Sequence, residues 1–316
     1  MSVRPLVSVI VPCYNVEKTV ARALNSVYKQ TYRPIELIIV NDGSTDNTEA
    51  VINKETANYG ESDITVKYIN QKNRGLGGAI DTGLKHFTGE YLAWFDSDDE
   101  LMPTSVEKRV DFLQNNPSFA CVTSDAYVVD GKDWDTSISL ISQSVKDNEK
   151  EDQFELLLKN QSVFCSGCHM VRGSVFNMVN PTKSIYPSRA GQNWQLLLPV
   201  YYKNKRAFLA EPLYKYGAYT ESMSAQIKKM PFDKRISREY EYIRIVENTL
   251  NSIERMEKKE RMRYIKRFKA NTYRRILDIS VESKEKFVYF KHMIKLIPLK
   301  ALKMAEIKCF IKLWLK

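Results

Sequence analysis

The chain has 316 residues, 43% of them apolar, and its 48 basic and 38 acidic side chains leave a net charge of +10. This length and composition suit a folded domain with chain to spare and exclude a disordered polymer. No run of roughly 18 to 20 apolar residues is present to span a bilayer as a helix.

The charge is unevenly placed. Residues 228–316 hold 25 basic and 11 acidic side chains, a net of +14, which leaves 23 basic and 27 acidic, or −4, in residues 1–227. A mildly acidic front with a basic appendage argues against a nucleic-acid-binding core. The apolar run at 6–11 is short for a secretory segment and ends at Pro12, so no signal peptide is expected. Five cysteines form no framework. Cys165 and Cys168 make a CxxC pair without a second pair at zinc spacing, so reduced thiols and a cytoplasmic location are the expectation.

In chain order, residues 6–11, 35–40, 65–69 and 91–95 read as short buried strands rich in Val, Ile and Tyr. Val16, Val20, Ala23, Leu24 and Val27 recur at helical spacing, with Asn15 as N-cap. Further helices are expected at 45–59, 76–87 and 104–114, the last opened by Pro103. Strand–helix alternation predicts an α/β fold, a mostly parallel sheet with flanking helices. Residues 130–150 read as a loop or lid, 154–158 as a short helix, and 163–171 and 207–216 as two more strands. From about Met230 the pattern is helical and basic.

Polar clusters follow three of these strands: Pro12-Cys13-Tyr14-Asn15, Asn41-Asp42-Gly43-Ser44 and Asp96-Ser97-Asp98-Asp99. A parallel sheet carries all three to one rim, the carboxyl edge where open α/β sheets bind ligands. Three carboxylates in four residues repel one another unless a cation or solvent offsets them. An all-oxygen set suits Mg²⁺ or Mn²⁺ better than zinc. The alternative is a solvated acidic turn at a helix start.

The ordered motifs resemble family-2 glycosyltransferases of the GT-A (Rossmann-like) fold. They are residues 7–15, residues 36–46, Asn73-Arg74-Gly75 with Gly83, and Gly89-Glu90-Tyr91 leading to Phe95 and the acidic run. The resemblance runs to about Ser224 and implies an inverting transfer of a hexose or N-acetylhexosamine from a nucleoside diphosphate, UDP above all, to a saccharide hydroxyl. It implies that Pro12, Tyr14 and Asn15 line the base and ribose pocket, that Asp42 bonds the pyrimidine edge, and that Asn73 and Gly75 lie along the nucleotide. Asp96, beside Ser97, would meet the ribose, Asp98 would ligate Mn²⁺ or Mg²⁺, and Asp99 would orient the donor sugar.

Two departures stand out. Where members carry Ala-Arg-Asn, this chain has Ala79-Ile80-Asp81, so Arg74 is the substitute cation. Where inverting members place Glu-Asp before an aromatic residue, this chain has Gly191-Gln192-Asn193-Trp194-Gln195, a variant that resembles a subset of bacterial polysaccharide glycosyltransferases. Because an amide is no base, three explanations stand. Another carboxylate such as Asp99 or Asp125 takes the proton, or the diphosphate or water does while Asn193 and Gln192 position the acceptor, or the protein is inactive. Relatives that add a histidine ligand near a Ser-rich turn find no counterpart around Ser222-Met223-Ser224; His86 and His292 read as surface or core residues of helices, and His169 lies in a candidate strand.

In the tail, Phe287, Phe290, Ile294, Ile297 and Leu302 recur among Lys291, Lys295, Lys300 and Lys303. Ile307, Phe310, Ile311, Leu313, Trp314 and Leu315 follow with Lys308, Lys312 and Lys316. Basic amphipathic helices of this kind bind membrane surfaces, with packing on the core or a homodimer contact as the alternative. The expectation is a catalytic domain at 1–227 and a basic helical region at 228–316. The protein would act at the inner face of a bacterial membrane on a lipid-linked saccharide during cell-surface polysaccharide synthesis. A sugar-phosphate nucleotidyltransferase and a non-catalytic saccharide- or membrane-binding module are the alternatives.

Overall fold

The computed structural model describes residues 4–57, 59–219 and 229–315. Its first strands, β1 (Val7–Cys13) and β2 (Ile35–Asn41), are buried at every position. A strand covered on both faces needs a continuous apolar run rather than alternation, which is why 6–11 and 35–40 stand out in the sequence. β1 pairs in parallel with β2 and with β4 (Tyr91–Trp94), and β2 pairs in parallel with β3 (Ile64–Asn70). The register sets Cys13 beside Asn41 and Asn41 beside Asn70, so the segments that follow them leave from one rim.

The sheet continues through β8 (His169–Arg172), β6 (Phe119–Asp130), β9 (Lys205–Ala218) and β5 (Glu100–Leu101), in the order β3-β2-β1-β4-β8-β6-β9-β5. β8 is antiparallel to both neighbours, while the long β6–β9 ladder is parallel. Helices α1 (Val20–Tyr28), α2 (Thr48–Thr56), α3 (Gly75–His86) and α4 (Ser105–Asn115) intervene in the first half, and α5 (Phe154–Leu158), α6 (Gly173–Val179) and α7 (Gln192–Tyr201) in the second. This is the expected α/β architecture with a mostly parallel sheet.

Three local expectations change. Asn15 does not cap α1, which starts after Thr19. Asn15 instead takes a left-handed φ of 52°, a conformation asparagine tolerates, and its Oδ1 accepts the Thr45 N–H at 2.8 Å. Residues 130–150 are not a plain loop: β7 (Asp133–Leu140) folds back on β6, and a 3₁₀ turn at Ile141–Ser144 follows. Of 163–171, only the end is a strand. A 3₁₀ turn at Ser166–Cys168 precedes β8, because the Arg109 guanidinium takes the carbonyls of Gly167 and His169 at 2.9 and 3.2 Å. Helix α7 had no expectation to change: buried at all ten positions, it shows no amphipathic period to read.

The chain divides into two compact units, Met1–Tyr219 and Thr220–Lys316. The boundary expected at 227/228 falls outside the described residues. The second unit is helical: α8 (Phe232–Ser252), α9 (Lys258–Glu282), α10 (Lys286–Lys295) and α11 (Met304–Leu315). Ala270, Leu277, Tyr289, Met293 and Leu296 form a core there. Among the described residues, no helix is long and apolar enough to cross a membrane.

Candidate active site

The rim is built from three loops locked to one another. After β2, Asp42 is 2% exposed. Its Oδ1 accepts the Gln71 amide at 2.6 Å and the Arg74 backbone N–H at 2.9 Å. Among the described residues its Oδ2 carries no hydrogen bond. Gly43 has φ +71°, and a Cβ there would stand 2.9 Å from the Asn73 nitrogen, so only glycine lets the 42–44 and 71–75 loops lie this close. Asn15 joins the same assembly through Thr45 and through its own N–H to Ser44 Oγ at 3.0 Å. Pro12 is buried in β1, whereas Tyr14 stands on the rim half exposed.

Asn73 Oδ1 accepts the Gly75 N–H at 3.3 Å, at the start of α3. Arg74, the expected substitute cation, turns to α3: its guanidinium bonds Asp81 Oδ2 and Thr82 Oγ1, each at 3.3 Å. A different cation lies over this loop. The Arg189 Cγ is 3.1 Å from the place of a Gly75 Cβ, and the Arg189 side chain is exposed with no ion pair among the described residues. Its segment is fixed by Gly77 N–H to Ser188 O at 2.7 Å and by Gln195, which bonds both Tyr186 backbone groups. Gln192 is buried at the start of α7, and its side chain has no hydrogen bond among the described residues.

After β4 the four residues of the acidic run diverge. Asp96 Oδ2 accepts the Ser166 hydroxyl at 2.6 Å. Burial, with the Asp98 charge adding, raises its carboxyl to about 6 against that hydrogen bond. Ser97 is buried against Cys13, whose thiol burial pushes up to about 12. Asp98 is half-buried; its main-chain oxygen is held by Arg22 and Tyr219, while its carboxylate is left without a side-chain partner among the described residues. Burial raises its carboxyl, with the Arg22 charge opposing. Asp99 is 1% exposed and fully engaged: Oδ2 accepts the Tyr214 hydroxyl at 2.6 Å and Oδ1 the Gly217 N–H at 2.8 Å. Burial, then the charges of Asp98 and Asp96, drives its carboxyl well above the usual range.

This donor set fits a hard divalent cation. Asp96 and Asp98 offer oxygens only, and each has carboxylate capacity unused by the protein. Among the described residues no cluster of three His, Cys, Asp or Glu side chains could hold a metal ion. Mg²⁺-type sites commonly use one or two carboxylates completed by substrate phosphates and water.

The other candidate base, Asp125, and the amide Asn193 are both occupied. Asp125 is buried and holds the 3₁₀ turn through the Ser142 N–H at 3.0 Å and the Ser142 hydroxyl at 2.5 Å. Asn193 is also buried: its Oδ1 accepts the Trp94 indole N–H at 2.9 Å and its Nδ2 donates to the Phe164 carbonyl at 2.7 Å. One partner needs an acceptor and the other a donor, so an amide satisfies both. Sequence reading missed Arg22, Ser166, Arg189 and Tyr219, which lie outside any motif. The 222–224 stretch lies outside the described residues.

A family model described as glycosyl transferase family 2 matches residues 8–179, more than half of the chain. The chain belongs to glycosyl transferase family 2. Among its relatives in the family, the putative glycosyltransferase EpsE of Bacillus subtilis (strain 168) is 30% identical over 68% of this chain and 74% of that one. Chondroitin synthase of Escherichia coli is 39% identical over 37% of this chain, but the match spans only 17% of that enzyme. Two solved structures share the GT-A fold. TarS 1-349 of S. aureus in complex with UDP-GlcNAc superposes with a TM-score of 0.65 at 18% identity, covering 97% of this chain and 90% of that one. The mannosyltransferase PcManGT from Pyrobaculum calidifontis, in complex with GDP-Man and Mn²⁺, gives 0.55 at 17% identity, covering 95% and 74%. A longer TarS structure is spanned for only 43% of its length. The residues that match the family model lie within the unit that ends at Tyr219.

Proposed function

We propose that the protein transfers a hexose or N-acetylhexosamine from a UDP-sugar to a saccharide hydroxyl, with inversion, and with Mn²⁺ or Mg²⁺ bound at Asp98. The observation that carries this reading is the rim itself: the carboxylates of Asp42 and of Asp96 and Asp98 follow β2 and β4, the two parallel neighbours of β1. With Asp42 Oδ1 fixed by Gln71 and Arg74, Oδ2 is free to accept from a base-edge N–H. Uracil presents its N3–H as such a donor, whereas the N3 of cytosine is an acceptor. Pro12, Tyr14 and Asn15 line the base and ribose pocket, Asn73 and Gly75 follow the nucleotide, and Asp96 meets the ribose, with Ser97 and Ser166 holding the turn. Arg74 serves by its backbone N–H, which orients Asp42, and Arg189 supplies the free cation toward the diphosphate.

The acceptor oxygen forms a bond to the anomeric carbon as the bond to the diphosphate breaks. A divalent cation held by Asp98 would offset the charge gained by the departing diphosphate. The acceptor proton passes to water, since Asp99 and Asp125 have both oxygens engaged and Asn193 is a positioning amide. Gln192, unpartnered at the head of α7, contacts the acceptor.

The helical unit supports a peripheral membrane location and a lipid-linked acceptor, in keeping with cell-surface polysaccharide synthesis. Phe287, Ile294 and Ile297 of the α10 region and Ile311, Trp314 and Leu315 of α11 are exposed, among Lys291, Lys308 and Lys312. Exposed apolar side chains interspersed with lysines suit an anionic leaflet, where each basic residue contributes about 1 kcal/mol. The deciding experiment is a thermal-shift panel of UDP-, GDP-, CDP- and dTDP-sugars with and without Mn²⁺. Mn²⁺-dependent stabilisation by UDP-sugars supports the reading; stabilisation by GDP-sugars alone, or by none, refutes it.

A further inference from the structure

Arg22 lies in no motif, yet three separate segments meet on it. Its Nη2 donates to the Asp98 carbonyl at 2.6 Å and to the Tyr219 hydroxyl at 2.8 Å, and Tyr219 donates in turn to the same Asp98 carbonyl at 3.2 Å. The guanidinium carbon sits 3.4 Å from the ring centroid of Trp134, on β7. Trp134 and Tyr219 are themselves 6.4 Å apart. Glycine makes room for this packing: a Cβ on Gly131 would stand 2.3 Å from the Tyr219 ring and one on Gly217 2.6 Å from it. Both oxygens that Arg22 binds are neutral, so among the described residues its charge is not cancelled by an ion pair.

We propose that Arg22 is a positioning residue for the metal-binding turn, latching the β6–β7 hairpin and the end of β9 onto Asp98 so that the Asp98 carboxylate is presented to the divalent cation and the nucleoside diphosphate. The inference rests on the donor-site reading above. Arginine suits the task because its planar fork stacks on an aromatic face while bonding in its own plane. Lysine brings the charge without the fork. With the main chain of Asp98 tied to α1 and to β9, its carboxylate is held ready before a ligand arrives, and the ordering cost falls outside the binding step.

The test uses the full chain and its Arg22→Met, Arg22→Lys and Tyr219→Phe variants. UDP binding is measured by calorimetry with and without Mn²⁺, and folding is checked by circular dichroism. In Arg22→Met, the expected result is Mn²⁺-dependent UDP affinity weakened about tenfold or more with metal-free UDP affinity unchanged, because the Asp42 loops are not touched. Arg22→Lys is expected to recover at most a minor part of the loss; full recovery would overturn the positioning role in favour of charge alone. Should Arg22→Met not fold, Tyr219→Phe removes one hydroxyl while keeping the ring on its glycines, and about threefold weaker Mn²⁺-dependent binding is expected. Unchanged Mn²⁺-dependent affinity in a folded variant overturns the proposal while leaving the donor site standing. Absence of Mn²⁺-dependent UDP binding in the unaltered protein overturns both.

Discussion

Replacing Asn193 by aspartate installs the carboxylate that the family resemblance leads one to expect at this place, and the structure predicts harm rather than gain. The Asn193 amide lies between an indole N–H and a carbonyl, at 2.9 and 2.7 Å, and is 2% exposed. An ionised carboxylate there would set a second lone pair against the Phe164 oxygen in a buried setting, at a cost of several kcal/mol. The way out is to hold the introduced carboxyl protonated, so that its O–H donates to Phe164. For a group with an ordinary pKa of about 3.9, that costs about 1.4 kcal/mol per pH unit, so about 4 kcal/mol at pH 7 and about 1.5 kcal/mol at pH 5. Asn193→Asp should therefore be destabilised by about 4 kcal/mol at pH 7 and recover most of the loss at pH 5. Asn193→Ala, which leaves the indole and the carbonyl unpaired, should lose roughly 2 to 4 kcal/mol with little dependence on pH. Urea unfolding followed by tryptophan fluorescence at the two pH values reads both, beside initial transfer rates. If Asn193→Asp matches the unaltered protein in stability at pH 7 and turns over faster, the amide faces the acceptor and the bridging role is refuted.

Further outcomes follow from other sites. Burial, with the charges of Arg206 and Arg109 adding, lowers the His169 imidazole from its ordinary 6.5 to about 3. The unfolded chain thus takes up a proton that the folded chain refuses. This contribution is fully present above about pH 6.5 and is lost as pH falls toward 3, by about 2 kcal/mol between pH 7 and 5. His169→Gln should flatten that part of the difference in unfolding midpoints, and parallel pH profiles for the two proteins would contradict it. Gly43→Ala adds a side chain at φ +71° and 2.9 Å from the Asn73 nitrogen. A loss of about 1 to 3 kcal/mol and weaker UDP binding are expected, and a thermal shift equal to that of the unaltered protein would count against the loop packing. In the helical unit, Phe287 and Leu315 are 74% and 82% exposed. Changing both to serine should weaken sedimentation with anionic vesicles by about 2 kcal/mol, roughly thirtyfold, and deletion of the last 30 or so residues should abolish it. Equal vesicle binding by the truncated chain would sink the membrane assignment.

Strand runs written as continuous apolar stretches made β1, β2 and β4 readable, since a strand buried on both faces needs no alternation to be recognised. Helix α7 defeated the same method because burial on every side removes its period. β7 was missed although Trp134, Ile138 and Leu140 alternate with polar residues; its exposed, polar edge resembled a loop until β6 supplied the hydrogen bonds. Asn15 has the chemistry of a helix cap, and Thr45, thirty residues on, claims it instead.

By itself, then, the sequence determined the α/β class, the common rim and the family, because those depend on local apolar pattern and on the order of short motifs. Tertiary structure decided which polar atoms remain free. Asp99 and Asp125 are carboxylates in the sequence but anchors in the fold, since Tyr214, Gly217 and Ser142 engage their oxygens. Arg74 is turned aside to Asp81, while Arg189 and Arg22 arrive from positions with no motif to mark them. A hydrogen bond depends on distance and direction between residues as many as 197 positions apart, as between Arg22 and Tyr219, and no local pattern along a chain encodes that.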